Sequence, residues 1–191
     1  VGYSLPENVE NLTLTSTAAT FGAGNEAVNI LTGNNAVNTL TGNGGNDTLW
    51  GLSGNDVLNG GSDNDVLVGG AGNDELTGGD GADIFFFNTA ANATSNKDVV
   101  VDFVSGVDKL HFNKSILSAV GVTGQFSATD VRFWASDTGI AHDLDDRLIY
   151  NTTTGALIYD NNGSKAGGGV VLETLGVTTH PELVASDIWI V

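Results

Sequence analysis

Residues 42–86 read, in successive nines, GNGGNDTLW, GLSGNDVLN, GGSDNDVLV, GGAGNDELT and GGDGADIFF. The period holds for five repeats without an insertion. Place six is always Asp: Asp47, Asp56, Asp65, Asp74 and Asp83. Place eight is always large and apolar: Leu49, Leu58, Leu67, Leu76 and Phe85. Place one is always Gly, at Gly42, Gly51, Gly60, Gly69 and Gly78, and place four is Gly except at Asp63. A flexible Gly-rich linker would not hold an apolar residue in strict register.

Each unit predicts a strand of three residues with one inward apolar side chain, followed by a six-residue turn. Gly in the turn permits tight bends and leaves the carbonyls unshielded. Two nines complete one circuit of a flattened coil, so residues 18 apart stack at the parallel-strand spacing of about 4.8 Å. The Asp residues then sort into two columns, Asp47–Asp65–Asp83 and Asp56–Asp74. A hard cation such as Ca²⁺ takes roughly six to eight oxygens, mixing carboxylates with backbone carbonyls. One Asp per turn plus bare carbonyls meets that need. The candidate metal ligands are therefore the five Asp residues and the first-place glycines Gly42, Gly51, Gly60, Gly69 and Gly78. With them go the third-place residues Gly44, Ser53, Ser62, Ala71 and Asp80, together with Asp63, Asn38 and Asp98. The stacked pairs Asp47/Asp65, Asp65/Asp83 and Asp56/Asp74 imply at least three ions, with one or two more where Asn29, Asn38 or Asp98 completes a turn.

The unit Gly-Gly-x-Gly-x-Asp-x-apolar-x is the calcium-binding signature of RTX proteins. The chain resembles that family, the haemolysin-type calcium-binding proteins. The resemblance implies a parallel β-roll with Ca²⁺ in its turns and export by a type I secretion system. DVVVDFVSGVDKLHF (98–112), DDRLIYNTTTGALIYDNNGS (145–164) and the tail SDIWIV also resemble the ends of secreted RTX proteins, with a departure at His111, where the family commonly has an acid. By resemblance, the last stretch carries an uncleaved export signal.

Charge argues for a cation independently of the motif. Of the 191 residues, the first 96 contain 11 acids and no Lys or Arg, while the rest hold 12 acids and all 6 bases. A half without cations cannot neutralise stacked carboxylates internally. The net charge of −17 argues against nucleic acid and anionic membrane surfaces as partners. No apolar run reaches the roughly 18 residues of a spanning helix. Cys is absent, so neither a disulfide nor a thiolate metal site is available. Met is also absent and the chain starts at Val1, which suggests a segment of a longer protein.

Upstream, GNEAVNILT (24–32) and GNNAVNTLT (33–41) continue the period with Asn29 and Asn38 at place six. They read as degenerate turns that extend the coil and bind calcium weakly or not at all. Asn11–Thr15 reads as a strand. Downstream, strands are expected at 98–104, 109–112, 131–134, 147–150, 156–159, 170–175 and in the tail. Short helical turns are expected at 115–120 and after Pro181. The fold class is therefore all-β: a parallel β-roll of nonapeptide repeats over residues 1–88, with degenerate turns at 1–41 and calcium-binding repeats at 42–86. A mainly antiparallel β cap over residues 89–191 follows, packed on the roll. Outward-facing Trp50, Val68 and Phe86 form an apolar row that the cap is expected to cover.

His111, His142 and His180 lack the spacing of a zinc site, and no GxSxG or GxxxxGK occurs. Asp160-Asn161-Asn162-Gly163 reads as a hairpin turn. Asp143, Asp145 and Asp146 before Arg147 read as a surface ion pair. The segment is accordingly expected not to be an enzyme, although its parent protein can be an extracellular one. The leading reading is a calcium-responsive folding and export module, extracellular or attached to the cell surface. Its partners would be calcium ions and the type I secretion machinery. The alternative is an adhesin or polysaccharide-binding module with a glycan or surface ligand. By resemblance, an RTX ice-binding face has Thr at place three and Asn at place five; Asn46, Asn55, Asn64 and Asn73 fit, but Gly44, Ser53, Ser62, Ala71 and Asp80 do not.

Overall fold

The computed structural model describes residues 2–18, 20–90, 94–121, 123–163 and 169–191. Ten short strands build the roll in chain order: β1 (Tyr3–Ser4), β2 (Asn11–Thr13), β3 (Thr20–Ala23), β4 (Ile30–Thr32), β5 (Asn38–Asn43), β6 (Thr48–Ser53), β7 (Val57–Ser62), β8 (Val66–Ala71), β9 (Glu75–Asp80) and β10 (Ile84–Phe87). Odd-numbered strands up to β9 pair in parallel on one sheet, and even-numbered strands up to β10 on the other. The two-nines-per-circuit reading is thus the observed topology. Leu49 pairs with Leu67 and Leu58 with Leu76, 18 residues apart.

The apolar place eight forms the core. Leu31, Leu49, Leu67, Phe85 and Leu110 stack on one sheet, with Leu40, Leu58, Leu76 and Val100 facing them from the other. All are fully buried. Burial of such a side chain stabilises by about 1.5–3 kcal/mol, so the row is a main source of cohesion once the turns are stacked.

The division into three strand and six turn residues is corrected by the structure. In the central repeats the strands run six residues. The backbone turns a corner at place two, where Leu52 takes φ 78° and Gly70 φ 100°. The ladder survives that corner, since Leu52 still pairs with Gly70 and Ser53 with Ala71. A second left-handed corner at place four, such as Gly72 at φ 145°, completes the turn.

The remaining strands are β11 (Asp98–Val100), β12 (Lys109–Phe112), β13 (Gly124–Gln125), β14 (Phe133–Ser136), β15 (Leu148–Asn151), β16 (Ala156–Tyr159), β17 (Val170–Leu175) and β18 (Ile188–Ile190). Short 3₁₀ turns occupy Ser118–Val120 and Ala185–Asp187. β11 and β12 extend the two parallel sheets, and β17 and β18 extend them further. The first sheet then turns antiparallel through β16 and β15, and the second ends on antiparallel β13. The hydrogen-bond ladder therefore crosses residue 88 on both sheets.

This placement overturns the expectation that the cap lies over Trp50, Val68 and Phe86. The cap stacks on the end of the roll. The outward row continues in register from Trp50 through Val68, and from Phe86 to His111 and Trp189. Row neighbours shield one another: Val68 is 1% exposed, whereas Trp50 and Phe86 are half-buried. His111 and Trp189 meet at 5.7 Å between ring centroids.

Candidate metal centre

Places six and eight share a face of the pleat because side chains alternate with period two. Each Asp therefore points inward at the start of its strand, into the turn rather than to solvent. All five nonapeptide Asp residues are buried.

One carboxylate oxygen of each Asp binds the neighbouring circuit. On the first column, Asn29 N–H donates to Asp47 Oδ1 at 2.7 Å, Asp47 N–H to Asp65 Oδ1 at 2.7 Å, and Asp65 N–H to Asp83 Oδ1 at 2.9 Å. On the second, Asn38 N–H donates to Asp56 Oδ1 at 2.7 Å and Asp56 N–H to Asp74 Oδ1 at 2.8 Å. The columns then pass beyond the nonapeptides: Asp74 N–H reaches Asp98 Oδ1 and Asp83 N–H reaches Asp108 Oδ1, both at 3.0 Å. Asp98 thus lies where its sequence position suggested. Asp108, which the sequence reading left out of the ligand set, closes the other column.

The second carboxylate oxygen has no such bond. Oδ2 of Asp47, Asp56, Asp65, Asp74 and Asp83 is buried without a hydrogen-bond partner among the described residues. A buried ionised oxygen left this way is strongly unfavourable. Burial accordingly pushes Asp56 and Asp65 up to about 7, and Asp47, Asp74 and Asp83 up to about 6, against the pull of the backbone N–H bonds. Burial likewise raises Asp98 to about 7.

The first-place glycines show what faces these oxygens. A Cβ on Gly42, Gly51 or Gly60 would collide with Oδ2 of Asp47, Asp56 or Asp65 and with the carbonyl oxygen of Gly60, Gly69 or Gly78. An unpartnered carboxylate oxygen and a place-one carbonyl of the next circuit therefore converge on a spot that only Gly leaves open. This donor set of hard oxygens fits Ca²⁺.

The remaining candidates are placed as follows. Asn29 and Asn38 direct Oδ1 to the N–H of Asn25 and Asn34 at 2.7 and 2.6 Å, closing their own turns without charge. Asn38 donates its Nδ2 to Asn34 Oδ1 at 3.2 Å. Among third-place residues, Gly44 is buried, Ser53 is half-buried, and Ser62, Ala71 and Asp80 are exposed on the outer turn. The Ala71 carbonyl accepts Gly54 N–H at 2.9 Å. Asp63 is also exposed and takes Gly45 N–H at 3.2 Å, and its charge acts on Asp47 and Asp65.

Sequence reasoning missed two supports. The place-five asparagines form a ladder of their own: Asn64 N–H donates to Asn46 Oδ1 at 2.9 Å, Asn73 N–H to Asn55 Oδ1 at 3.0 Å, and Ala82 N–H to Asn64 Oδ1 at 2.7 Å. The recurrence of Asn at place five was the available signal. Asp102 clamps the N–H groups of Gly78 and Gly79, both at 2.9 Å, and nothing in the period pointed to it.

Elsewhere, Asp160 is buried and its Oδ1 accepts Asn162 and Gly163 N–H, which makes a turn. Arg147 donates to the carbonyls of Leu144 and Asp146 rather than forming the expected carboxylate pair. Asp146 instead takes the N–H groups of His142 and Asp143. Ligand atoms of exposed His142, half-buried Asp143 and buried Asp146 lie within 4.8 Å of one another.

Residues 23–58, 32–67 and 59–91 match the family described as RTX calcium-binding nonapeptide repeat (4 copies). No curated protein matches the chain. Among solved structures, the chain is similar to the solution structure of the AlgE6R3 subunit of the Azotobacter vinelandii mannuronan C5-epimerase. That similarity is 23% identity over 85% of this chain and 78% of that one, with a TM-score of 0.34. Residues 23–91 thus carry RTX calcium-binding nonapeptide repeats, folded as a parallel β-roll.

Proposed function

We propose that the chain is a calcium-responsive folding module of a larger secreted protein. It would stay open where calcium is scarce and close into the roll outside the cell. The observation that carries this reading is the set of five buried, unpartnered Asp oxygens in a half with no Lys or Arg.

Each Asp Oδ1 holds the N–H of the preceding circuit, and Oδ2 of Asp47, Asp56 and Asp65 converges with a place-one carbonyl. The place-five asparagines lock the outer turn. The leucine row can be buried only when these turns are stacked. Ca²⁺ bound between turns supplies the positive charge that the chain lacks there. Extracellular sites of this kind work at weak affinities, near millimolar calcium. A site held at 100 times its dissociation constant adds about 2.7 kcal/mol to the folded state. In this reading the segment has no catalytic role, and type I export and support of the parent protein are its work. An acidic chain that remains open before export suits that route.

Calorimetric titration of the chelated chain with CaCl₂, followed in parallel by circular dichroism, tests the proposal. At least three ions should bind, and the β signal should appear with them. A chain that binds none, or binds without gaining β structure, contradicts it.

A further inference from the structure

The two Asp columns end differently, and the difference exposes a group that the repeats do not explain. On the second sheet, Asp108 closes the column, and β18 brings Asp187 beside the adjacent loop. Asp187 is fully buried, yet it takes Ser105 Oγ at 2.6 Å, Gly106 N–H at 3.0 Å and Lys109 Nζ at 3.3 Å. A protein cation and two further donors satisfy that end.

On the first sheet, β17 pairs with β11 so that Asp98 lies beside Glu173 and Val100 beside Leu175. Glu173 precedes inward Leu175 by two residues, as Asp98 precedes Val100 and Asp74 precedes Leu76. It therefore occupies the next place in the column formed by Asn38, Asp56, Asp74 and Asp98. Its side chain is fully buried, and both carboxylate oxygens lack a hydrogen-bond partner among the described residues. On its far side β16 presents Leu157, which offers no polar atom. Asp98 itself is 3% exposed, and its charge acts on Glu173. Two buried carboxylates side by side cannot both ionise without a positive partner.

We propose that Glu173 is the terminal carboxylate of this column and that, with Asp98, it holds one further Ca²⁺ where the cap joins the roll. The two side chains offer up to four oxygens of the hard type that the ion takes. Glu173 lies 75 residues beyond Asp98, so this site ties the antiparallel part of the cap to the same ion chemistry as the repeats. The inference rests on the calcium-roll reading above.

The test uses the full chain and Glu173→Gln, with bound ions counted by equilibrium dialysis against ⁴⁵Ca²⁺. The wild type should hold one ion more than the variant, with the same β spectrum at saturating calcium. The calcium concentration that protects the β16 and β17 amides from exchange should rise about tenfold in the variant. A wild type that binds no calcium overturns the roll reading itself. A wild type and variant with equal ion counts overturn only the Glu173 site. Should the variant fail to fold, the wild type labelled with ¹³C-glutamate decides. The Glu173 carboxyl carbon should move on calcium saturation and report an ionised group. A carbon that stays in the protonated form, unmoved by calcium, means a proton shared with Asp98 and refutes the site.

Discussion

The roll and the cap share two continuous sheets, yet they neutralise buried carboxylates in opposite ways. In the cap, half-buried Asp130 is gripped by Arg132 through Nε at 2.8 Å and Nη2 at 2.6 Å, and that hydrogen-bonded pairing lowers its pKa. Arg132 also lies 4.4 Å from the Phe126 ring centroid. Asp187 has Lys109, Ser105 and Gly106. In the roll the same inward geometry leaves one oxygen of every nonapeptide Asp without a partner among the described residues. A sheet ladder therefore does not itself dictate how charge is balanced. Away from Glu173 at the junction, the cap supplies Lys109 and Arg132 to its carboxylates, whereas the roll depends on an ion from outside.

The largest expected effect that separates the two regions is the response to pH without calcium. The roll Asp residues have folded values near 6 to 7 against an ordinary 3.8. A raised acid favours the fold while protonated. Its contribution is complete below about pH 4 and is lost as pH rises through 6 to 7. The chelated chain should therefore gain β signal and melting temperature on acidification from pH 8 to pH 4. With calcium bound, the carboxylates are held ionised and the trend should reverse, acid releasing the ions. A chelated chain that is most stable at pH 8 would erase the proposed contrast.

Point substitutions sharpen it. Asp65→Ala removes the acceptor for Asp47 N–H and a central carboxylate of its column. At saturating calcium it should cost on the order of 3–5 kcal/mol by chemical denaturation and reduce the number of bound ions. Asp187→Ala should cost about 2 kcal/mol, since Lys109 is partly exposed, and leave the ion count unchanged. Asp63→Ala, on the exposed turn, should stay within about 0.5 kcal/mol of the wild type.

Much of this contrast was legible in the sequence, because an uninterrupted period of nine converts directly into register. Leu58 over Leu76 and Asp47 beside Asp65 follow from spacing alone. Legibility fades where the period breaks. Asp98 stacks on Asp74 across 24 residues and Asp108 on Asp83 across 25, because the connecting loops lengthen. Asp98 was still recoverable as the first acid after the repeats, but Asp108 was not. Glu173 was invisible, since only strand pairing brings it to Asp98. The apolar row through Trp50 was read correctly as outward, but its cover was misjudged. Propensity shows that a strand forms, whereas its neighbour depends on tertiary pairing. Here the cap strands found the open ends of the sheets, where unpaired N–H and C=O groups await a partner.

The central claim is that the roll, unlike the cap, owes its stacking to a cation it does not carry. Amide hydrogen exchange with mass spectrometry, at neutral pH with excess EGTA and then with saturating Ca²⁺, tests this region by region. The account predicts that amides in residues 24–86 exchange freely in chelator and become protected in calcium, while β14 and β15 keep more of their protection throughout. Protection of residues 24–86 that is the same in both conditions would contradict it.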